Sequence, residues 1–172
     1  MAVSERAGGG LGLEELNQLS AEAAEAALLH ACTSPRWAAA VAMRRPYDSI
    51  DDLLTAADEE LAALDEPDID AALAGHLRIG EPPSGTGSEQ ARGEQSRVSE
   101  ASRAVRTALV EGNRAYEERF GHVYLVCASG RTAEDLLQTL RRRLGNDPAT
   151  ERRVLREELR MINRLRLQRA LT

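Results

Sequence analysis

The stretch ERRVLREELRMINRLRL, residues 151–167, decides the fold class of this chain. Its apolar residues recur at helical spacing and form one stripe: Val154, Leu155, Leu159, Ile162, Leu165 and Leu167. Because the spacing persists through the stretch, it predicts a long final helix over about residues 149–171. The arginines between them, interleaved with Glu151, Glu157 and Glu158, are predicted to form mostly a solvated face.

Helix-start patterns recur along the rest of the chain. Residues able to cap a helix precede predicted helices at Ser20, Ser34, Asp48 or Ser49, Ser88 and Thr132. The third of these helices is predicted to break near Asp58 and lead into a short turn over 61–64. The longest helix is predicted over about 99–119, with Gly121 ending it.

One segment departs from the helical pattern. Residues 123–128, VYLVCA, are β-branched, aromatic and apolar, and so they are predicted to be extended. An isolated strand of this length has no obvious partner, so we interpret it as a connector that lines a pocket. The predicted fold is therefore all-α, a single compact domain of about eight helices over residues 13–172 with this short extended segment. Residues 1–12 are predicted to be a disordered lead.

Composition narrows the class of protein. The chain has 172 residues, long enough for one well-buried domain, and 42% of them are apolar but only 3% aromatic. A net charge of −6 argues against nucleic acid as the main partner. No apolar run approaches the roughly 20 residues that span a bilayer, so no membrane partner is expected. We expect a soluble, cytoplasmic protein.

Several kinds of chemistry are disfavoured by residue content. All 22 basic residues are arginine, and without lysine the chain cannot form a Schiff base through an ε-amine. The two cysteines, Cys32 and Cys127, are far apart in apolar contexts, which favours free thiols in a reducing compartment. No Cys-x-x-Cys or His-Glu-x-x-His motif is present, so neither a metal site nor a metal cofactor is predicted.

The three histidines differ in position. His30 lies in an alanine- and leucine-rich run and is interpreted as a core or boundary residue, and His122 follows a helix-ending glycine, where a structural role is favoured. His76 follows the predicted helix end at Gly75 and precedes a loop rich in glycine and proline. Catalytic groups gather at such junctions, and an imidazole titrates near neutral pH. Position alone leaves a catalytic and a structural role for His76 equally open.

Two charged positions stay ambiguous on periodicity. Glu89-Gln90 and Glu94-Gln95 repeat the same dipeptide, and a five-residue step turns about 140° around a helix, so the two pairs face differently. Periodicity does not choose between Glu89 and Glu94. Arg164 and Arg166 border the apolar stripe of the final helix, where one could turn inward to bind a carboxylate bidentately. A solvated role is the alternative for both arginines.

A set of short motifs runs in order along the chain. They are Leu16-Asn17-x-Leu19-Ser20, Gly75-His76-x-Arg78-Ile79-Gly80, Glu94-Gln95, Asn113-x-x-Tyr116-Glu117-x-x-Phe120-Gly121, Val123-Tyr124-Leu125-Val126-Cys127-Ala128-x-Gly130, Arg143-Leu144-x-Asn146-Asp147 and Ile162-x-x-Leu165-Arg166-Leu167. By this ordered set the chain resembles the 2-oxo-4-hydroxy-4-carboxy-5-ureidoimidazoline (OHCU) decarboxylase family of uricolytic enzymes, which produce (S)-allantoin. Each motif is weak alone, but together they cover about residues 13–171.

The resemblance implies an all-helical, cofactor-independent, homodimeric enzyme of purine catabolism that acts on a small ureido-imidazoline substrate. It implies His76 as the catalytic acid/base and Glu94, rather than Glu89, as the glutamate that holds polar groups of the substrate. The remaining residues that it places at the substrate are Leu77, Ala91, Gln95, Leu125, Val126, Cys127, Ala128 and an arginine of the last helix, with Arg166 preferred to Arg164.

Three places depart from the family pattern, and one of them is the pair Ser96-Arg97 after Gln95, where small residues are usual. Leu77 stands where the family has a proline after the histidine, which removes a backbone restriction next to His76. Ala91 stands where a serine is usual, and so it offers no hydroxyl to the substrate. One alternative function is therefore a paralogue that performs decarboxylation or proton transfer on another small nitrogenous acid in a biosynthetic pathway. Another is a non-catalytic helical interaction module.

Overall fold

A computed structural model describes residues 11–76, 78–79 and 103–171 of the chain. Within these ranges it contains eight helices and no strands: α1 Leu13–Gln18, α2 Ala21–Leu28, α3 Pro35–Met43, α4 Ile50–Ala62, α5 Glu66–Leu73, α6 Arg103–Phe120, α7 Ala133–Arg143 and α8 Pro148–Ala170. The predicted all-α class is confirmed. Residues 123–128 form a connector without regular secondary structure.

The helix starts follow the caps that the sequence offers. Side chains that accept a backbone N–H at the start of a helix are Ser20, Ser34, Ser49, Asp65, Thr132 and Asp147. Ser49, rather than Asp48, caps α4, and Thr132 forms a reciprocal capping box with Asp135. Asp65 and Asp147 are caps that sequence analysis missed. These local bonds satisfy N–H groups that have no partner within the helix itself.

Three expectations about helix bounds were wrong. No break occurs at Asp58, because α4 continues to Ala62. The longest described helix is α8, with 23 residues, rather than α6. Helix α5 ends at Leu73, and Gly75 has no left-handed backbone, unlike Gly121, whose φ of 75° ends the turn after α6. The predicted helix that Ser88 would cap lies outside the described residues.

The chain divides into two compact units. One comprises the described residues up to Leu64 together with those from Asn163 onward. Its centre is Trp37, which has no exposed surface and donates its indole N–H to the Ala57 carbonyl at 2.9 Å. Tyr47 donates its hydroxyl to Val41 at 2.7 Å, so α3 is bonded both to α4 and to the turn that follows α3.

The other unit comprises Asp65–Ile162. Its apolar core joins α6, α7 and the connector; its fully buried members include Leu109, Tyr116, Tyr124, Leu136 and Leu140. The connector is therefore anchored by apolar contacts as well as by hydrogen bonds. None of the described helices combines the length and the apolar character that crossing a membrane requires.

Candidate active site

His76 lies at the junction between α5 and the following loop, as the sequence predicted. Its backbone N–H donates to the Leu73 carbonyl at 3.0 Å, which continues the hydrogen bonding of α5 by one turn. The residue is half-buried. By contrast, His30 is exposed beyond the end of α2, so its interpretation as a core or boundary residue was wrong.

The segment after His76 is bonded to α6. Asn113, which is 1% exposed, donates its side-chain N–H to the Ile79 carbonyl at 2.6 Å. One turn later on the same helix, Glu117 receives two hydrogen bonds from Arg78, at 2.5 and 2.9 Å. A bidentate pair fixes direction as well as distance. Helix α6 therefore restrains the chain two and three residues beyond His76.

Residues 125–128, called here the site segment, are held by side chains of α7 and α8. Leu125, Val126 and Ala128 are buried and Cys127 is half-buried. Arg143 donates from Nη1 to the Leu125 carbonyl at 2.7 Å, and the Cys127 N–H donates to Oε2 of Glu158 at 2.8 Å. Side chains, rather than a neighbouring strand, thus bond the Leu125 carbonyl and the Cys127 N–H.

Arg143 belongs to a buried polar cluster, the Arg143 cluster, composed of Arg143, Glu151, Tyr116 and Asn146. Arg143 contacts Glu151 Oε1 through Nε at 2.8 Å and Nη2 at 2.6 Å, and the two side chains are 3% and 0% exposed. Tyr116 donates its hydroxyl to Glu151 Oε1, and Asn146 donates to the other oxygen at 2.8 Å. A buried ion pair is stable only when its remaining polar atoms are also hydrogen-bonded. In this pair, Tyr116 and Asn146 supply those bonds to Glu151.

Burial keeps the two tyrosines of this region, Tyr116 and Tyr124, protonated. Burial, and next the hydrogen bond to Glu151, raise the pKa of Tyr116. Burial raises the pKa of Tyr124, whose ring lies 4.8 Å from the Arg143 guanidinium carbon. Both phenols therefore remain neutral, and among the described residues arginine and glutamate supply the charges of this cluster.

Tyr116 links the two predicted site elements through one helix. It stands on α6 between Asn113 and Glu117, the two residues that hold the segment after His76. Asn113, Tyr116 and Glu117 are spaced by three and four residues and so share a helix face. The motif Asn113-x-x-Tyr116-Glu117 thus has a physical meaning, because it positions both segments at once.

Part of the sequence-based interpretation was wrong for this unit. Glu151 and Glu158 were assigned to a solvated face, but they are 0% and 6% exposed. Arg143 was given no role, although it is the central donor of the cluster. An arginine in the last turn of a helix usually caps exposed carbonyls, so its burial is not visible from local pattern.

The two candidate arginines of α8 have different partners. Arg166 is 1% exposed and donates from Nη1 to the Ala31 carbonyl at 3.3 Å. Arg164 pairs with Asp58 at 2.7 Å and keeps about a third of its side chain exposed. Arg166 is therefore the inward-turned arginine of the two. Both arginines lie in the unit that contains Trp37.

Four predicted site residues lie outside the described residues: Leu77, Ala91, Glu94 and Gln95.

Cys32 and Cys127 are both free thiols, and burial raises the pKa of Cys32. Among the residues that the structure describes, no three His, Cys, Asp or Glu side chains are grouped closely enough to hold a metal ion.

A cavity of 670 Å³ lies in the Asp65–Ile162 unit. Its wall is formed by Glu66, Asp70, Leu73, Ala74, Phe120, Gly121, His122, Val123, Pro148 and Arg152. Neither His76 nor the site segment is among these residues. The His122 ring packs edge-on against Tyr116 with centroids 5.5 Å apart, which agrees with a structural role.

Comparison with known proteins identifies the family. The OHCU decarboxylase family model matches residues 17–168, and the chain belongs to this family. The uric acid degradation bifunctional protein TTL of Arabidopsis thaliana is 32% identical over 144 residues, which are 79% of this chain and 44% of that protein. The 2-oxo-4-hydroxy-4-carboxy-5-ureidoimidazoline decarboxylase of Amia calva is 40% identical over 83 residues, 46% of each chain. The match thus spans under half the length of either relative.

Two solved structures share the fold. A crystal structure of OHCU decarboxylase in the presence of (S)-allantoin superposes with a TM-score of 0.75 at 25% identity, covering 89% of this chain and 99% of that one. A crystal structure of (S)-allantoin synthase gives a TM-score of 0.73 at 16% identity, covering 94% of this chain and 54% of that one. The second likeness concerns the fold alone.

Proposed function

We propose that this chain is a cofactor-independent carboxy-lyase that converts OHCU to (S)-allantoin in urate catabolism. Membership of the OHCU decarboxylase family over residues 17–168 carries the proposal. The chain also covers 99% of a similar OHCU decarboxylase whose crystal structure was obtained with (S)-allantoin. The position of His76 at a helix–loop junction, with the next residues bonded to α6, supports a fixed catalytic imidazole.

The chemistry needs few protein groups. When the carboxylate leaves as CO₂, the electron pair of the broken C–C bond passes into the adjacent C=N group of the substrate itself. The protein must orient the carboxylate, exclude water and deliver one proton to one face of the resulting carbanion. His76 is the proposed donor, and delivery to a single face determines the handedness of the product.

The remaining roles follow the family resemblance. Glu94 and Gln95 are proposed to hold polar groups of the substrate, and Leu77 and Ala91 to lie beside it. The site segment is proposed to offer backbone groups, which agrees with its fixed conformation. Arg166, which turns inward, is the proposed partner of the substrate carboxylate, with Arg164 as second choice.

Three further features belong to the same proposal. The protein is proposed to act as a homodimer in the cytoplasm, to need no metal or other cofactor, and to bind no nucleic acid or membrane. Residues 13–172 are proposed as its catalytic domain, with 1–12 as a lead. Leu77 and Ala91 depart from the family pattern. The competing hypothesis is therefore a paralogue that acts on another small nitrogenous acid.

The decisive assay generates OHCU in situ from urate with urate oxidase and hydroxyisourate hydrolase, and follows the circular dichroism of the allantoin formed. We expect this chain to accelerate formation of the S enantiomer, and His76→Ala to slow it by about 10²- to 10⁴-fold, the usual worth of a general acid. His30→Ala is the matched control because His30 is exposed. No acceleration by the wild-type chain would remove the OHCU assignment in favour of the paralogue or the non-catalytic module.

A further inference from the structure

No strand lies beside the site segment in the part of the chain that the structure describes, and two charged side chains bond its backbone instead. The Leu125 carbonyl accepts a hydrogen bond from Arg143, and the Cys127 N–H donates one to Glu158. Arg143 Nη1 lies 3.9 Å from Glu158 Oε1, so both bonds end at the same place. A cation paired with a carbonyl and an anion paired with an N–H reproduce the donor and acceptor of a strand edge.

Peptide planarity fixes where the other ends of these two peptide groups point. In a trans peptide the carbonyl of one residue and the N–H of the next point in opposite directions. The only cis peptide among the described residues is Arg45–Pro46, so both peptides around Val126 are trans. Because the Leu125 carbonyl points to Arg143, the Val126 N–H points away from it. Because the Cys127 N–H points to Glu158, the Val126 carbonyl points away as well.

Val126 therefore offers a donor and an acceptor on the edge opposite Arg143 and Glu158. Within the part of the chain that the structure describes, neither its N–H nor its carbonyl has a hydrogen-bond partner. The residue is only 3% exposed and belongs to the apolar core that also contains Tyr116 and Leu140. Buried backbone polar groups are rarely left unbonded, so this pair of groups fits a bound ligand.

We propose that Arg143 and Glu158 are positioning residues that fix the two peptides flanking Val126, so that its N–H and carbonyl are presented together to the substrate. This inference rests on the proposed function and extends it to residues that never touch the substrate. The complementary ligand group carries an acceptor next to a donor, as an amide or a ureido group does.

A positioning role can be tested without a large loss of stability more easily at Glu158 than at Arg143. Arg143 is bonded to Glu151 at 0% exposure, so replacing it breaks a buried ion pair. Glu158 has its closest bond to the Cys127 N–H, with Arg131 and Arg143 farther away at 3.7 and 3.9 Å. Glu158→Gln keeps an acceptor oxygen but no charge, whereas Glu158→Leu keeps volume without an acceptor.

The kinetic test compares these two variants with Glu157→Ala, which removes a neighbouring carboxylate that is 54% exposed and pairs with Arg160. We expect Glu158→Leu to raise KM for OHCU about tenfold with a smaller change in kcat, because a misaligned hydrogen-bond pair weakens ground-state binding. Glu158→Gln should restore KM to within about threefold of wild type, and Glu157→Ala should match wild type. Equal KM and kcat in Glu158→Leu and Glu157→Ala would overturn the proposal, as would equal impairment of the Gln and Leu variants.

A spectroscopic test keeps the inference separate from activity. In ¹⁵N-labelled wild-type protein, the Cys127 amide should be protected from hydrogen exchange, and (S)-allantoin should shift the Val126 amide resonance more than those of Leu125 and Cys127. Glu158→Gln should keep the protection and Glu158→Leu should lose it. If the wild-type chain is active on OHCU but (S)-allantoin does not shift the Val126 amide resonance, the positioning role is overturned. If the wild type lacks that activity, the proposed function fails, and Cys127 exchange in the wild type and the Gln variant still decides whether Glu158 holds the peptide.

Discussion

Two arginine–glutamate pairs restrain the two segments proposed to form the active site, and they differ mainly in burial. Arg78 and Glu117 form a bidentate pair with side chains 50% and 27% exposed. Arg143 and Glu151 form a pair with side chains 3% and 0% exposed, to which Tyr116 and Asn146 are also bonded. The chemistry is the same, but solvent screens the first pair, whereas burial shields the second pair from it.

The comparison teaches that burial turns an ion pair from an optional contact into an obligatory one. An exposed pair contributes about 0–1 kcal/mol, because its charges remain solvated when it breaks. Removing one partner of a buried pair leaves a charge with neither water nor counter-ion, which costs about 3–5 kcal/mol. The site segment is therefore bonded to the part of the unit that tolerates change least.

The largest expected effect comes from Glu151→Gln. This variant keeps the side-chain volume but removes the close counter-ion of Arg143 and leaves only Glu158, 3.9 Å away, so we expect a loss of up to about 3–5 kcal/mol in the free energy of unfolding. Urea unfolding followed by far-UV circular dichroism measures it. Glu117→Gln, with its exposed partner, is the matched control. A cost no larger than that of the control would refute the distinction between the two pairs.

Tyr116→Phe should have the next largest effect. It removes the hydrogen bond to the charged Glu151, which is worth about 1.5–3 kcal/mol, and a longer one at 3.4 Å that the hydroxyl accepts from Arg143. Arg143 and Asn146 stay bonded to the Glu151 carboxylate. Tyr124→Phe is the control, since its hydroxyl donates to the Leu136 carbonyl at 3.4 Å, a long neutral bond expected to contribute under about 1 kcal/mol. Similar losses in the two variants would show that the charge of Glu151 is not what Tyr116 stabilises.

The loss of stability at alkaline pH tests the burial of the tyrosine hydroxyls, and all three tyrosines of the chain contribute to it. Burial raises the pKa of Tyr47 to about 12 and also raises the pKa of Tyr116 and Tyr124. A folded-state pKa above the unfolded value of 10.0 means that stability is complete below pH 10 and falls as the pH rises toward the folded pKa. At pH 11 we expect a loss of about 1.4 kcal/mol for each tyrosine.

Absorbance at 295 nm measures the same titration directly. The native protein should show little phenolate at pH 10.5, and the protein unfolded in guanidinium should titrate near pH 10. A native-state titration of any one tyrosine near pH 10 would contradict its burial.

The smallest effect is expected at Arg78→Gln. The exposed pair should lose about 0–1 kcal/mol, and most of that loss should vanish in 1 M salt. The hydrogen bond from Arg78 lowers the pKa of Glu117, so the contribution of this pair is present above pH 4.5 and disappears as the pH falls through the folded pKa. Urea unfolding at pH 7 and pH 3, with and without salt, checks both statements. A loss that is unchanged by salt would indicate that the pair is not solvent-screened.

Local pattern predicted the helices well because its causes are local. The stripe of residues 151–167 became part of α8, and Ser20, Ser34 and Thr132 cap the helices that they were expected to cap. The failures occurred where a neighbour in space decides. The break expected at Asp58 does not form, and a helix there places this residue against Arg164, more than a hundred positions away in sequence.

The sequence identified the residues proposed for the site but not the residues of α6 that hold them in place. His76 and residues 125–128 were identified from position and family resemblance, and they remain proposals as site residues. That α6 holds both segments could not be derived, because Asn113, Tyr116 and Glu117 look like ordinary positions of an amphipathic helix. Their partners are 34, 35 and 39 residues away in sequence.

The sequence by itself determined the helical class, most helix starts, the family and the residue types available for proton transfer, because periodicity, capping and motif order are properties of neighbouring residues. Only the tertiary structure decided which charges lose their water. Glu151 and Glu158 read as surface carboxylates in the sequence, yet packing buries them against Arg143 and the site segment. Desolvation depends on what surrounds a group in space, and that information is spread over the whole chain.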